Sequence, residues 1–178
     1  ADFETDASYS ITLTATDSAD NAVSKDYTVT VSDVNETPSA LALSASTFAE
    51  NAAGATIGTI SATDPDSGET LTYSITGTDK DSFELSGTTL KLKDSVSADF
   101  ESDSSYSITL TATDSADNAV SKDYTISVSD VNEAPSALAL SANTFAENAA
   151  GATIGTLSAT DPDSGETFTY SITGTDKD

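Results

Sequence analysis

The chain has 178 residues, with 30 Asp and Glu against six Lys and a formal charge of −24. That balance argues against nucleic acid or an anionic membrane as partner and makes cations the natural counterpart. Cys, His, Met and Trp are all absent, which removes thiol chemistry, imidazole bases, disulfides and soft-metal sites and leaves oxygen ligands.

From the N-terminus, Tyr9, Ile11 and Leu13 alternate with polar residues, as do Tyr27, Val29 and Val31. A period of two predicts a pair of half-buried strands. "DVNETPS" (33–39) follows, and its Pro38 cannot donate a ladder hydrogen bond, so the stretch reads as a domain boundary. Further strands rich in Thr, Ile, Val and Tyr are predicted at 40–44, 55–63, 70–76, 83–85 and 88–93, separated by turn clusters such as "DPDSG" and "SGTT". A short helical turn is expected only around Glu50, in "AENAAG". Tyr106, Ile108, Leu110 and Ala112 then alternate with Ser and Thr, a strand over 119–129 follows, and "DVNEAPS" (130–136) restores the boundary signal.

Asp2 recurs as Asp99, Asp33 as Asp130, Pro38 as Pro135 and Asp64 as Asp161, a period of 97 residues. Residues 1–81 and 98–178 differ at eight pairs only, among them Val29 with Ile126 and Ile60 with Leu157. A repeat well above the 20–50 residues of a solenoid unit implies self-contained domains joined as beads. About seven short antiparallel strands per repeat is the rhythm of a Greek-key β-sandwich, so the fold class is all-β, in tandem. The expected division is the C-terminal part of a repeat over 1–36, a complete repeat over 37–133, and the N-terminal part of another, its first three strands, over 134–178. Tyr9, Ile11 and Leu13 then require a neighbour to cover them, either a longer chain of which this is a window or another molecule. No stretch approaches the roughly 18 apolar residues that span a bilayer, so direct membrane insertion is not expected, and any export or anchoring signal is expected outside these residues.

The acids gather in loops at strand ends: Glu50 in "FAEN", Asp64 and Asp66 in "TDPDSG", Asp99 and Glu101 in "DFE", Asp114 in "ATDSADN", and Asp130 to Glu133 in "DVNE". Two carboxylates one residue apart repel each other unless they share a cation. Ca2+ accepts six to eight oxygens in a flexible shell and suits such loops better than Mg2+, which demands a rigid octahedron.

In their order and spacing, "FAEN", "DFE", "DVNETP", "DPD" and "ATDSAD" resemble the calcium-binding motifs of cadherin repeats, especially the cadherin-like domains of giant bacterial surface adhesins. The resemblance covers the whole chain. It implies up to three Ca2+ in each inter-domain junction, held by oxygens alone. Carried over, Asp2, Glu4, Asp33 and Glu36 would hold two close ions at the first junction, and Asn35 and the Thr37 carbonyl would hold a third with Asp64, Asp66 and Asp114. The second junction would use Glu50, Asp99, Glu101, Asp130, Asn132, Glu133, Asp161 and Asp163, with Asp66 and Asp163 as bridges between ions. Asp17 would serve a junction before residue 1. Glu36 and Glu133 stand where animal cadherins usually carry Asp, and the loop after Asp114 lacks the family's glycine. With no Trp, the tryptophan exchange by which animal cadherins adhere cannot operate.

Taken singly, Asp6, Glu69, Asp79, Asp81 and Asp94 read as solvated charges, and Asn51 and Asn148 as turn formers. "DPDSGE" lacks the third acid, distant Glu and flanking helices of a helix-loop-helix calcium loop. Paired carboxylates also occur in glycoside hydrolases, but no aromatic sugar platform is present, and no enzyme activity is expected. The implied function is a calcium-rigidified extender of an extracellular adhesin on a bacterial cell surface, supporting adhesion, with adjacent repeats as its partners. The rivals are calcium-dependent binding to surface polysaccharide or to like molecules, and a filament subunit whose half-domains are completed by neighbours.

Overall fold

A computed structural model describes residues 1–148 and 150–174. Its centre is a two-layer sandwich. The strands in chain order are β1 (Ser8–Thr16), β2 (Ala22–Thr30), β3 (Ser39–Leu43), β4 (Thr47–Ala49), β5 (Thr56–Thr63), β6 (Thr72–Thr76), β7 (Phe83–Ser86), β8 (Thr89–Leu92), β9 (Ser105–Thr113), β10 (Ala119–Ser129), β11 (Ser136–Leu140) and β12 (Leu157–Thr160). One central sheet has the order β4-β10-β9-β6 and the other β3-β5-β8-β7.

β9 shows why these residues form a sheet. Ile108, Leu110 and Ala112 are buried while Ser107, Thr109 and Thr111 face outward, the alternation a pleated strand imposes. The opposite layer supplies Leu41, Ile57, Ile60, Leu90 and Leu92, and Phe48 and Phe83 bracket the half-buried Tyr106 ring. Burying each such side chain stabilises the sandwich by roughly 1.5–3 kcal/mol, so one core of this size sustains a domain.

The first strand of the sandwich is split between layers. It pairs with β5 up to Leu43, crosses at Ser44–Ser46, and resumes as β4 beside β10. At the crossing Ser44 Oγ accepts the Thr59 N–H at 2.8 Å, and a β-carbon on Gly58 would lie 2.9 Å from the Ala45 nitrogen and oxygen. Glycine is therefore required there, and β5 shifts register around it. Periodicity cannot reveal a three-residue strand, so β4 is absent from the sequence reading. Its pairing with β10 is parallel, the one departure from the antiparallel expectation among the described central strands. No helical turn forms around Glu50, where Asn51 takes a left-handed φ of 62°. A single 3-10 turn lies instead at Lys80–Ser82.

Because β4 runs parallel to β10, and the Tyr124 hydroxyl reaches the Leu41 carbonyl while Val128 lies beside Phe48, the chain enters the sandwich at one end and leaves it at the other. β10 alone spans 11 residues, so the two ends lie roughly 35 Å apart.

β1 and β2 form a hairpin whose strand residues are all exposed, and β11 pairs with β12. The third strand expected after residue 134 does not form: Thr169–Thr173 has no ladder partner among the described residues, whereas the identical "TYSIT" of β6 pairs with β9.

Leu110 is fully buried and its repeat counterpart Leu13 is 56% exposed. Leu110→Ala is therefore expected to cost about 2–5 kcal/mol in denaturant unfolding of the central sandwich, and Leu13→Ala in dilute protein under about 0.5 kcal/mol.

Candidate metal centres

At the entrance of the sandwich, the carboxylate oxygens of Glu4, Asp33, Glu36 and Asp66 lie within 4.8 Å of one another. Three of these precede Pro38 and Asp66 follows it, in the loop after β5. Asp66 Oδ2 also accepts the Glu36 N–H at 2.9 Å, which fixes the linker against that loop. Asp64 turns Oδ1 to the Asp66 N–H at 3.0 Å, and its Oδ2 is buried without a partner. Asp114, 5% exposed, accepts the Ala116 and Asn118 N–H groups of its own turn and the Asn35 side-chain amide at 2.7 Å. Asn35 donates as well to the Glu36 carbonyl, so one amide joins the linker to the turn between β9 and β10.

At the exit the arrangement recurs. Glu50, Glu101 and Asp130 form one group, and Glu101, Glu133 and Asp163 another, each within 4.8 Å. Asp163 Oδ2 accepts the Glu133 N–H at 2.8 Å, Asp161 Oδ1 accepts the Asp163 N–H at 3.1 Å, and Asn132 donates to the Glu133 carbonyl. Glu50 is 3% exposed and accepts two backbone donors, Phe100 N–H at 2.7 Å and Val131 N–H at 2.8 Å. It thereby holds the "DFE" turn and the linker together. Glu133 Oε2 is a second buried oxygen without a partner.

Asp2 and Asp99 stand outside these groups, each holding the turn that carries Glu4 or Glu101. Asp2 accepts the Glu4 and Thr5 N–H groups and the Thr5 hydroxyl, and Asp99 accepts the Ser102 N–H and hydroxyl. Asp17 accepts the Ala19 and Asn21 N–H groups and the Asn21 amide of the β1–β2 turn.

Three side chains read as turn former or solvated charge do more. Asn51 donates to Glu133 Oε1, Glu69 accepts the Ser115 N–H and hydroxyl at 3.2 and 3.0 Å, and Asp79 accepts the Ser107 N–H at 2.6 Å. Glu69 and Ser115 are far apart in sequence, and no local pattern could have joined them. Asp81 and Asp94 form exposed ion pairs with Lys80 and Lys91.

The electrostatics divide accordingly. Desolvation and the neighbouring Glu4, Asp66 and Asp33 raise the Glu36 carboxyl above its ordinary range, and desolvation followed by Asp163 and Glu50 raises Asp130. Desolvation also raises Glu101, against a backbone hydrogen bond and with Glu50, Glu133 and Asp130 adding to it. For Glu133 the Asn51 hydrogen bond lowers the value but is outweighed by desolvation and by Glu50, Asp163 and Asp130. Asp114 runs the other way: desolvation is outweighed by hydrogen bonds from Asn35, Asn118 and Ala116, and its carboxyl is lowered.

Residues 44–129 match the family model of the cadherin domain. Solved cadherin structures share the fold: protocadherin Gamma B7 extracellular cadherin domains 1–4 at 24% identity and TM-score 0.68, covering 93% of this chain and 43% of that one. The protocadherin GammaB4 extracellular domain matches at 29% and 0.62, covering 91% and 28%, and human CDH23 EC21-23 at 24% and 0.65, covering 89% and 55%. The chain thus spans less than half of the first of these. No curated protein matches it by sequence. The central sandwich has the cadherin-domain fold, and its three carboxylate groups lie at the two ends where the chain enters and leaves. Among the described residues no helix is long and apolar enough to cross a membrane.

Glu50→Ala leaves two backbone donors without their acceptor and should lower stability by about 1–3 kcal/mol in thermal unfolding. In metal-free protein, the raised carboxyls of Glu36, Glu101, Asp130 and Glu133 bind protons more tightly folded than unfolded. Their contribution is full below the unfolded carboxylate range and is lost as pH rises through the raised one. The lowered Asp2, Asp17, Asp99 and Asp114 contribute above the unfolded range, and that part is lost as pH falls through theirs. The metal-free melting midpoint should therefore rise as pH falls from neutrality through the raised carboxyls' range and fall on further acidification through the lowered ones.

Proposed function

We propose that this chain is a calcium-rigidified extender, in which Ca2+ at each linker splints one cadherin-type repeat to the next. The observation that carries the reading is the convergence of Glu4, Asp33 and Glu36 from one side of Pro38 with Asp66 from the other. Like charges so close destabilise a joint, and a hard divalent cation reverses the sign of that interaction. Every donor is an oxygen, and the unpartnered buried oxygens of Asp64 and Glu133 lie in the loops a cation would occupy. This donor chemistry fits Ca2+.

On this reading residues 1–36, 37–133 and 134–178 belong to three successive repeats. Glu4, Asp33, Glu36, Asn35, Asp64, Asp66 and Asp114 serve the first junction, and Glu50, Glu101, Asp130, Asn132, Glu133, Asp161 and Asp163 the second, with up to three ions at each. Asp2 and Asp99 shape the turns that present Glu4 and Glu101, and Asp17 repeats the role of Asp114. The partners are calcium and the neighbouring repeats, the setting is extracellular, at a bacterial cell surface, and the role is to hold a distal adhesive region away from that surface. Catalysis has no part in this reading.

Extracellular calcium modules bind with dissociation constants on the order of 0.1–1 mM, and a site filled at 100 times its constant gains about 2.7 kcal/mol. Calcium added to metal-stripped protein should raise the melting midpoint by on the order of 10 °C and lengthen the particle in small-angle scattering. In an Asp66→Ala, Asp163→Ala variant both responses should shrink severalfold. An equal response in the variant, or none in the wild type, defeats the proposal.

A further inference from the structure

Three segments bring candidate ligands to the first junction. The linker carries Asn35 and Glu36, the loop after β5 carries Asp64 and Asp66, and the turn between β9 and β10 carries Asp114. The ligands themselves tie two sides of this triangle: Asp66 accepts the Glu36 N–H and joins loop to linker, and Asn35 donates to Asp114 and joins linker to turn. Among the described residues, no candidate ligand ties loop to turn. Glu69 does so instead. Its Oε2 accepts the Ser115 N–H at 3.2 Å and its Oε1 accepts the Ser115 hydroxyl at 3.0 Å. Ser115 follows Asp114 directly, and Glu69 stands three residues after Asp66, beyond a bend at Gly68 whose φ of 88° only glycine adopts readily.

Glu69 borders the same cleft as Glu4, Asp33, Asn35 and Asp66, yet its oxygens are not among those that converge there. Both are engaged by a single residue. Asp114 accepts the Ala116 and Asn118 N–H groups, so its carboxylate is held to the turn and goes where Ser115 goes. We infer that Glu69 is a positioning residue of the first junction, one that holds the Asp64 and Asp66 loop at a fixed distance from Asp114 without itself touching the ion. The inference rests on the calcium reading above. In metal-free protein the loop and the turn are both anionic and repel, and two charge-assisted hydrogen bonds hold them together before any ion arrives. Without those bonds, part of the binding free energy of the ion goes into ordering the two segments, and affinity falls.

The test is calcium titration calorimetry on the metal-stripped 178-residue chain in an Asp163→Ala background, which removes a ligand of the second junction and leaves the first to be read. Each variant is titrated below its metal-free melting midpoint. Glu69→Ala should weaken calcium binding about tenfold, the low end for a side chain that orients ligands from outside the coordination sphere. Ser115→Ala changes no charge and should weaken binding in the same direction, yet add little to Glu69→Ala. Glu69→Gln keeps an acceptor for Ser115 and should stay closer to the parent than to Glu69→Ala. An independent readout needs no ion: in metal-free protein the Ser115 amide should exchange with solvent faster in Glu69→Ala than in the parent. An affinity or an exchange rate untouched by Glu69→Ala would overturn the inference, as would Glu69→Gln binding as weakly as Glu69→Ala beside an unaffected Ser115→Ala, the pattern of a direct ligand. A parent that binds no calcium defeats the calcium reading and this inference with it, whereas a parent that binds and variants that match it remove only the role of Glu69.

Discussion

The peptide N–H of Glu36, donated to Asp66 across Pro38, is the contact on which the junction depends. It brings the linker backbone to the loop after β5, and in doing so forces the Glu36 carboxylate into the company of Glu4, Asp33 and Asp66. Glu133 and Asp163 repeat the bond at the other end of the sandwich. One backbone hydrogen bond to a carboxylate thus sets up a charged problem at each end. The backbone geometry that orders the linker is the same geometry that crowds its carboxylates, and a cation is the economical way to have both.

The sandwich itself is built so that this conflict stays at its ends. Outward positions of β9 and β10 carry Ser and Thr, with Thr109 bonded to Asp123 and Thr111 to Ser121, so the sheet face needs few charges for solubility. The acids are concentrated in the loops that β5, β9 and β10 hold in place, and the apolar layer between the sheets keeps those loops at a fixed separation. Against a Ser, Thr and Ala background, Phe48, Phe83, Ile57, Ile60, Leu90, Leu92, Leu110 and Ile126 give a modest core that suffices for one sandwich. That core lies over β9 and β10, whose inward residues are buried, while the residues of their twins β1 and β2 are exposed throughout.

Much of this was legible in the sequence. The strand over Tyr106 to Ala112 follows from strict alternation, and the expected strands at 55–63 and 119–129 fall within a residue of β5 and β10. That Asp33, Glu36 and Asp66 come together is what the resemblance of "DVNETP" and "DPD" to cadherin motifs implies, and the three do converge. Other features carried no usable signal. β4 is three residues long and owes its existence to β10, and around Glu50 the chain takes no helical turn, the Glu50 side chain bonding Phe100 and Val131 and Asn51 adopting a left-handed φ. Asp2 and Asp99 look like ligands in "DFE", yet the Thr or Ser three residues on makes each a turn cap as well. In a loop, the same carboxylate pattern serves a cation or a backbone N–H, and spacing alone does not separate them.

The repeat provides an internal control that a single domain could not. "TYSIT" is a strand at 72–76 and not at 169–173, and "SYSITLTAT" is buried in alternation at 105–113 and exposed throughout at 8–16. Local propensity is equal in each pair, so the difference belongs wholly to tertiary context. β-Propensity in this chain is a readiness to pair, realised only where an edge and an apolar layer are offered together.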